Sequence, residues 1–210
     1  MRIGVIGSGN VGGTLGRRWA EVGHEVIFGL RDLQSQKAKD LLKSAPKNLS
    51  VATVGEAVAR SEVVILSVPW AAARDAVEAA GELEGKILVD CTNPLAEDFK
   101  GLSIGFTTSA GELIASWAKG ARVIKAFNNT GWQNMANPLY GPDRVTMFLC
   151  GDDAEAKRVV IRLAEDLGFE ACDSGPLFVA RCLEPLAMLW ITLAYGQGLG
   201  PNIAFKILQR

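Results

Sequence analysis

The chain of 210 residues has a single histidine, His24, two tyrosines and four cysteines, and each scarcity excludes a class of function. Histidine is the commonest acid–base group near neutral pH and a common metal ligand, so one copy leaves no histidine dyad and no zinc cluster. His24 stands at the start of an expected second strand and reads as a surface or packing residue. Cys91, Cys150, Cys172 and Cys182 form no CxxC pair and sit in or beside apolar patterns, which suits reduced thiols packed as small hydrophobes. No metal site is expected. Charge of one sign is missing too: 22 Lys and Arg against 23 Asp and Glu leave a net charge of −1, without the field that gathers nucleic acid or an anionic membrane. The most apolar stretch, Leu177 to Tyr195, is broken by Arg181, Glu184 and Pro185, short of the ~18 uninterrupted apolar residues of a membrane span. It reads as a buried or dimer-forming helix, and a homodimer is expected. A basic leader with a cleavage site is also missing, so the expected location is the cytoplasm. Length is limiting as well, because a dehydrogenase with a separate substrate domain needs ~300 residues or more.

What is present is apolar and alternating. With 49% hydrophobic residues the chain can close a sizeable core. Strands are expected at Ile3 to Ile6, Glu25 to Phe28, Ser50 to Thr53, Val63 to Ser67, Ile87 to Asp90, Val123 to Ala126, Thr146 to Cys150 and Glu170 to Cys172. Helical patterns lie at Val11 to Val22, Leu33 to Lys43, Gly55 to Ala59, Ala71 to Ala80, Ala110 to Ala118 and Ala154 to Leu167. Strand–helix–strand repetition of this kind predicts an α/β fold: a Rossmann-type, doubly wound, mainly parallel sheet. A C-terminal strand–helix–strand unit, Thr146 to Cys172, extends it, and a terminal helix follows. No linker divides the chain, so one nucleotide-binding domain over 1–210 is expected, with a small cap at about 173–210. Loops are expected at Asn93 to Ser109 and Asn137 to Asp143.

The first strand runs into Gly7-Ser8-Gly9-Asn10-Val11-Gly12, and helical periodicity begins at Val11. This is G-x-G-x-x-G between a strand and a helix. Gly7 permits the tight turn, Gly9 lets the backbone approach a pyrophosphate, and Gly12 lets helix and strand pack closely, while free N–H groups at the helix start meet negative charge. NAD-binding chains end the second strand on an acid that holds the ribose 2′-hydroxyl. Here Leu30 stands at that position, and Arg31 can pair with a 2′-phosphate through its planar fork, which favours NADP(H). The alternative keeps Arg31 solvated and makes Asp32 the ribose ligand after a one-residue shift.

Ligands of open parallel sheets lie outside the carboxyl ends of the strands. The loops there are Ser67-Val68-Pro69-Trp70, Cys91-Thr92-Asn93-Pro94 and Lys125-Ala126-Phe127-Asn128, which should border ribose and nicotinamide. Lys125 could touch a ribose or carbonyl, or close an ion pair at the strand end. Met188, Trp190 and Tyr195 could wall a planar ring, or belong to core or interface.

The glycine loop, Leu30-Arg31, Ser67-Val68-Pro69-Trp70, Lys86-Ile87-Leu88-Val89-Asp90, Asn93-Pro94, Val123-Ile124-Lys125-Ala126-Phe127-Asn128, Cys150-Gly151-Asp152 and Asp173-Ser174-Gly175-Pro176-Leu177 resemble the NADPH-dependent coenzyme F420 reductases. They are similar also to the cytoplasmic NADPH-oxidising domain of the six-transmembrane metalloreductases. The resemblance implies hydride transfer between NADP(H) and FMN, FAD or F420. It implies that Gly7, Ser8, Asn10, Val11 and Gly12 hold the pyrophosphate, and that Arg31 takes the 2′-phosphate. Val68, Pro69, Asn93, Ala126 and Asn128 would line the nicotinamide half, and Gly175, Pro176 and Leu177 the second ring's site. Such transfer needs proximity and stacking more than a protein acid or base, so no catalytic side chain is expected. Competing readings are reduction of a small imine or carbonyl compound, which would want a proton donor such as Asp173 or Tyr195, and a non-catalytic NADP(H) sensor.

Overall fold

The computed structural model describes residues 1–43 and 45–210. Its strands are β1 (Arg2–Ile6), β2 (Glu25–Leu30), β3 (Leu49–Thr53), β4 (Val63–Leu66), β5 (Ile87–Asp90) and β6 (Arg122–Lys125), then a hairpin of β7 (Leu139–Tyr140) and β8 (Asp143–Arg144), then β9 (Thr146–Gly151) and β10 (Glu170–Asp173). The α-helices are α1 (Asn10–Glu21), α2 (Gln36–Leu42), α3 (Val54–Ala59), α4 (Ala73–Ala80), α5 (Ala110–Trp117), α6 (Trp132–Ala136), α7 (Ala154–Asp166) and α8 (Ala180–Ile191).

The strands are near-continuous apolar runs because both of their faces are covered. β4 and β5 are buried at every residue, as befits central strands of a parallel sheet between two helical layers. Alternate residues serve the two cores: Ile3, Val5 and Phe28 pack with Leu15 and Trp19 of α1, while Ile6, Val64 and Leu66 pack with Val77 of α4 and Ile114 of α5. The sheet order is β3-β2-β1-β4-β5-β6-β9-β10. Its direction of winding reverses at β1, and the crevice between β1 and β4 at the carboxyl edge is where such sheets hold ligands.

The C-terminal unit joins with opposite sense. β9 pairs antiparallel with β6 through only Ile124↔Gly151 and Lys125↔Cys150, whereas β10 lies parallel to β9. The stretch 137–143, expected as loop, contains β7 and begins β8, turning at Gly141 with φ +60°. The short α6 was not expected. Arg181, Glu184 and Pro185 do not break the terminal helix: Leu177–Gly196 is continuous over 20 residues, and its most apolar 18-residue stretch has mean hydropathy 1.6 with 39% of it buried, which by length and composition alone would suffice to cross a membrane. Both charges are accommodated by partners, Arg181 reaching Glu112 at 2.6 Å and Glu184 reaching Lys125 at 2.8 Å.

Candidate functional site

The glycine turn is built so tightly that two of its residues admit no side chain. Gly7 has φ +97°, and a Cβ there would lie 2.5 Å from the Ser67 carbonyl oxygen. A Cβ on Gly12 would lie 1.9 Å from the Gly7 carbonyl oxygen. Ser67 locks the turn from the neighbouring strand, its hydroxyl donating to the Gly7 carbonyl at 2.7 Å. Gly9 differs: among the described residues nothing stands within 4 Å of where its Cβ would be, so the backbone faces open space at the start of α1. No side chain caps that helix and no acid stands in its first turn, leaving N–H groups available to an anion. Bare backbone and unpaired donors above a glycine turn fit a pyrophosphate.

From this turn a cleft of about 490 Å³ runs between the end of β2 and α4. Gly7, Ser8, Gly9, Ser67, Val68 and Pro69 line one part of it, and Arg31 with Lys37 the other. Leu30 is the last residue of β2 and is buried, so a hydrophobe fills the position of the usual ribose-binding acid. The Asp32 side chain accepts from the Gln34 N–H at 2.8 Å, and its carbonyl accepts from the Ser35 hydroxyl at 2.7 Å. Ser35 is also the N-cap of α2, accepting from the Ala38 N–H. Ala72, Ala76 and Ala79 supply an apolar wall opposite.

Further along the carboxyl edge the loops after β5 and β6 are tied together. The Asn93 amide donates to the Asn128 carbonyl at 2.8 Å, and the Asn128 amide donates to Asn93 Oδ1 at 3.0 Å and to the Leu183 carbonyl of α8 at 3.1 Å. Phe127 makes this turn possible with φ +58°, a left-handed backbone that costs a bulky residue about 1–3 kcal/mol. Its ring offsets that by packing edge-on against Trp19 and Phe169. The Thr92 hydroxyl is buried and has no hydrogen-bond partner among the described residues.

Beneath these loops Lys125 is wholly buried in a charge cluster. Its ammonium donates to Asp90 at 2.8 Å, to Glu184 at 2.8 Å and to the Thr92 carbonyl at 2.6 Å. Glu184 also accepts the N–H groups of Ala110 and Gly111 at 3.0 and 3.1 Å, capping α5 from a different helix. Burial alone would lower the Lys125 pKa; the charges and hydrogen bonds of Asp90 and Glu184 outweigh it and raise the pKa above the ordinary lysine value. Burial likewise pushes the Cys91 thiol up, with Asp90 adding to it, and takes Cys150 up to about 12, so neither is a thiolate at neutral pH.

The structure thus gathers Gly7, Ser8, Gly9, Arg31, Ser67, Val68 and Pro69 around one cleft. Asn10, Val11 and Gly12 form the first turn of α1 beside it. Asn93, Pro94, Ala126 and Asn128 stand at the carboxyl edge but outside the cleft wall, with Pro94, Ala126 and Asn128 buried. Lys125, weighed as a ribose contact or an ion pair, is in the ion cluster and presents nothing to the cleft. Gly175, Pro176 and Leu177 lie past β10, also outside that cleft; Gly151 donates to the Gly175 carbonyl, and Leu177 is buried against the face that holds Ile114. Sequence reasoning missed Lys37 and Ser35. A helix started at Leu33 hides them, whereas reading Ser35 as an N-cap brings Lys37 to the cleft.

Residues 2–94 match the family model described as NADP oxidoreductase, coenzyme F420-dependent. The chain is 31% identical to the F420-dependent NADP reductase of Methanocaldococcus jannaschii, covering 98% of this chain and 94% of that protein. It is 32% identical to the metalloreductase STEAP3 of Rattus norvegicus over 90% of its own length, but spans only 37% of that protein. The solved structure of a proposed F420-dependent NADP-reductase from Arthrobacter sp. FB24 matches with a TM-score of 0.91 at 34% identity, over 100% of both chains. Turn, cleft, sheet and sequence agree, and the chain belongs to the family of coenzyme F420-dependent NADP oxidoreductases.

Proposed function

We propose that the protein binds NADP(H) along this cleft and passes a hydride between it and a flavin or deazaflavin acceptor. The observation that carries the reading is the pairing of an open glycine turn with Arg31 and Lys37 at the far end, where β2 ends on Leu30. The turn and the first residues of α1 would hold the pyrophosphate, and the two cations the 2′-phosphate. Asp32 holds the Gln34 N–H with one carboxylate oxygen and lines the same end of the cleft, so the preference for a 2′-phosphate rests on Arg31 and Lys37 outnumbering it there. When bound, the nicotinamide supplies the hydride; the chain's residues bind, orient and exclude water. Asn93 and Asn128 hold together the two loops where the nicotinamide half would lie.

The reading takes residues 1–210 as one nucleotide-binding domain with a cap at about 173–210. It places the chain in the cytoplasm, where its free cysteines stay reduced, and makes it a homodimer through the terminal helix, where Leu189 and Tyr195 are exposed. Mixing the protein with NADPH and, separately, FMN, FAD or F420 while following the near-ultraviolet absorbance of NADPH tests it. Oxidation that depends on one of these acceptors is expected. No oxidation with any of them would favour a binding sensor.

The Arg31→Ala variant is expected to bind NADPH about tenfold more weakly, the loss of one charge-assisted pair, with NADH affinity unchanged. Titration of both cofactors by intrinsic fluorescence checks this. An equal loss for both would mean that Arg31 supports the loop rather than the phosphate.

A further inference from the structure

The long connection from β5 to α5 is held at both feet by the buried ion cluster. At its start Asp90 accepts from the Thr92 N–H and Lys125 donates to the Thr92 carbonyl; at its return Glu184 accepts from Ala110 and Gly111. Between the feet the loop closes on itself through the Leu95–Leu102 bridge and through Ser103, whose N–H and hydroxyl both reach the Pro94 carbonyl. Both feet lie at the carboxyl edge of the sheet, where the nicotinamide half of the cofactor would sit.

In spite of this anchoring, two phenylalanines of the loop are turned outward. Phe99 is 65% exposed and Phe106 94% exposed, and their φ angles are +57° and +61°. Phe127 has the same strained backbone but is buried among aromatic rings. Phe99 and Phe106 have neither relaxed backbone nor burial. Strain and apolar exposure together, on a loop fixed at its base beside a cofactor crevice, call for a flat apolar ligand.

We infer that Phe106, with Phe99 on the same loop, forms the platform on which the acceptor's planar ring stacks while it faces the nicotinamide. The ligand class is a conjugated planar tricycle with two π faces, and the inference rests on the flavin or deazaflavin reading above. An aromatic side chain suits such a ring because stacking needs a π face and no particular hydrogen-bond pattern.

NADP+-saturated protein would be titrated with FMN and with F420, following their fluorescence. Phe106→Ala and the double variant Phe99→Ala/Phe106→Ala should weaken acceptor binding about 3- to 10-fold, and Phe106→Tyr should retain it. NADPH affinity and thermal midpoint should not move, since both rings are mostly in solvent. Unchanged acceptor affinity in the double variant overturns the inference. So does a loss accompanied by a fall in molecular mass in solution, because the rings would then be packing between copies. If the unaltered protein neither binds nor reduces any of these acceptors, the functional reading fails with it; if the unaltered protein reduces one and the double variant does so equally well, only the platform falls.

Discussion

Lys125→Met is expected to lower the free energy of unfolding by about 3–5 kcal/mol, because it leaves the carboxylates of Asp90 and Glu184 buried without their cation. Urea unfolding at neutral pH measures it. The loss should exceed what Coulomb attraction alone suggests, since Lys125 also holds the Thr92 carbonyl and the Asn93 loop hangs from that residue. Should the variant be too unstable to purify, Glu184→Gln leaves Lys125 with Asp90 and is expected to be milder. The wild type adds a pH test. The folded-state pKa of Lys125 is raised, so its contribution is complete below the ordinary lysine value of 10.5 and lost as pH rises through the higher folded value. Alkaline unfolding should therefore be steeper in the wild type than in Lys125→Met.

Gly12→Ala is expected to reduce NADPH affinity on the order of 10- to 100-fold, because the turn that presents the N–H groups to the pyrophosphate must deform. The added methyl would meet the Gly7 carbonyl oxygen at 1.9 Å and the Ser67 hydroxyl at 2.2 Å. Ser67 could rotate away, but the Gly7 carbonyl is backbone, so strand and helix must part. Overpacking of this kind also destabilises by about 1–3 kcal/mol. Gly9→Ala is the contrast: no atom crowds its Cβ in the protein, so stability should hold while affinity falls through the ligand's own approach. Isothermal titration with thermal unfolding on both variants separates the two cases. Equal stability and affinity losses at both positions would contradict this account of the turn.

Much of this was legible in the sequence because it rests on local pattern. Gly7 to Gly12 follow a strand and open a helix, and Leu30 ends the second strand just before Arg31, so the turn and the two ends of the cleft could be read from neighbours. What was not legible rests on partners distant in the chain. Glu184 lies in an apolar run and looks like an interruption; its meaning comes from Lys125 and from Ala110, 74 residues away. Hydrophobic alternation is the same read in either direction, so nothing in Thr146 to Cys150 announces that β9 runs against β6. Strands of two residues, such as β7 and β8, are too short to show an alternation. The outward turns of Phe99 and Phe106 run against the usual fate of phenylalanine, and no local pattern announces them.

The reversal at β6 also bears on how the chain acquires its fold. The first six strands are wound by crossovers and need distant segments to meet before any pays back its ordering entropy, which is slow. β9, α7 and β10 are consecutive and pair with one another, while their seam to the rest of the sheet is two residue pairs wide. That unit can form early and dock late, and because Trp19 of α1 closes one core with Val160 and Leu163 of α7, amide hydrogens along the seam should exchange only when that core opens.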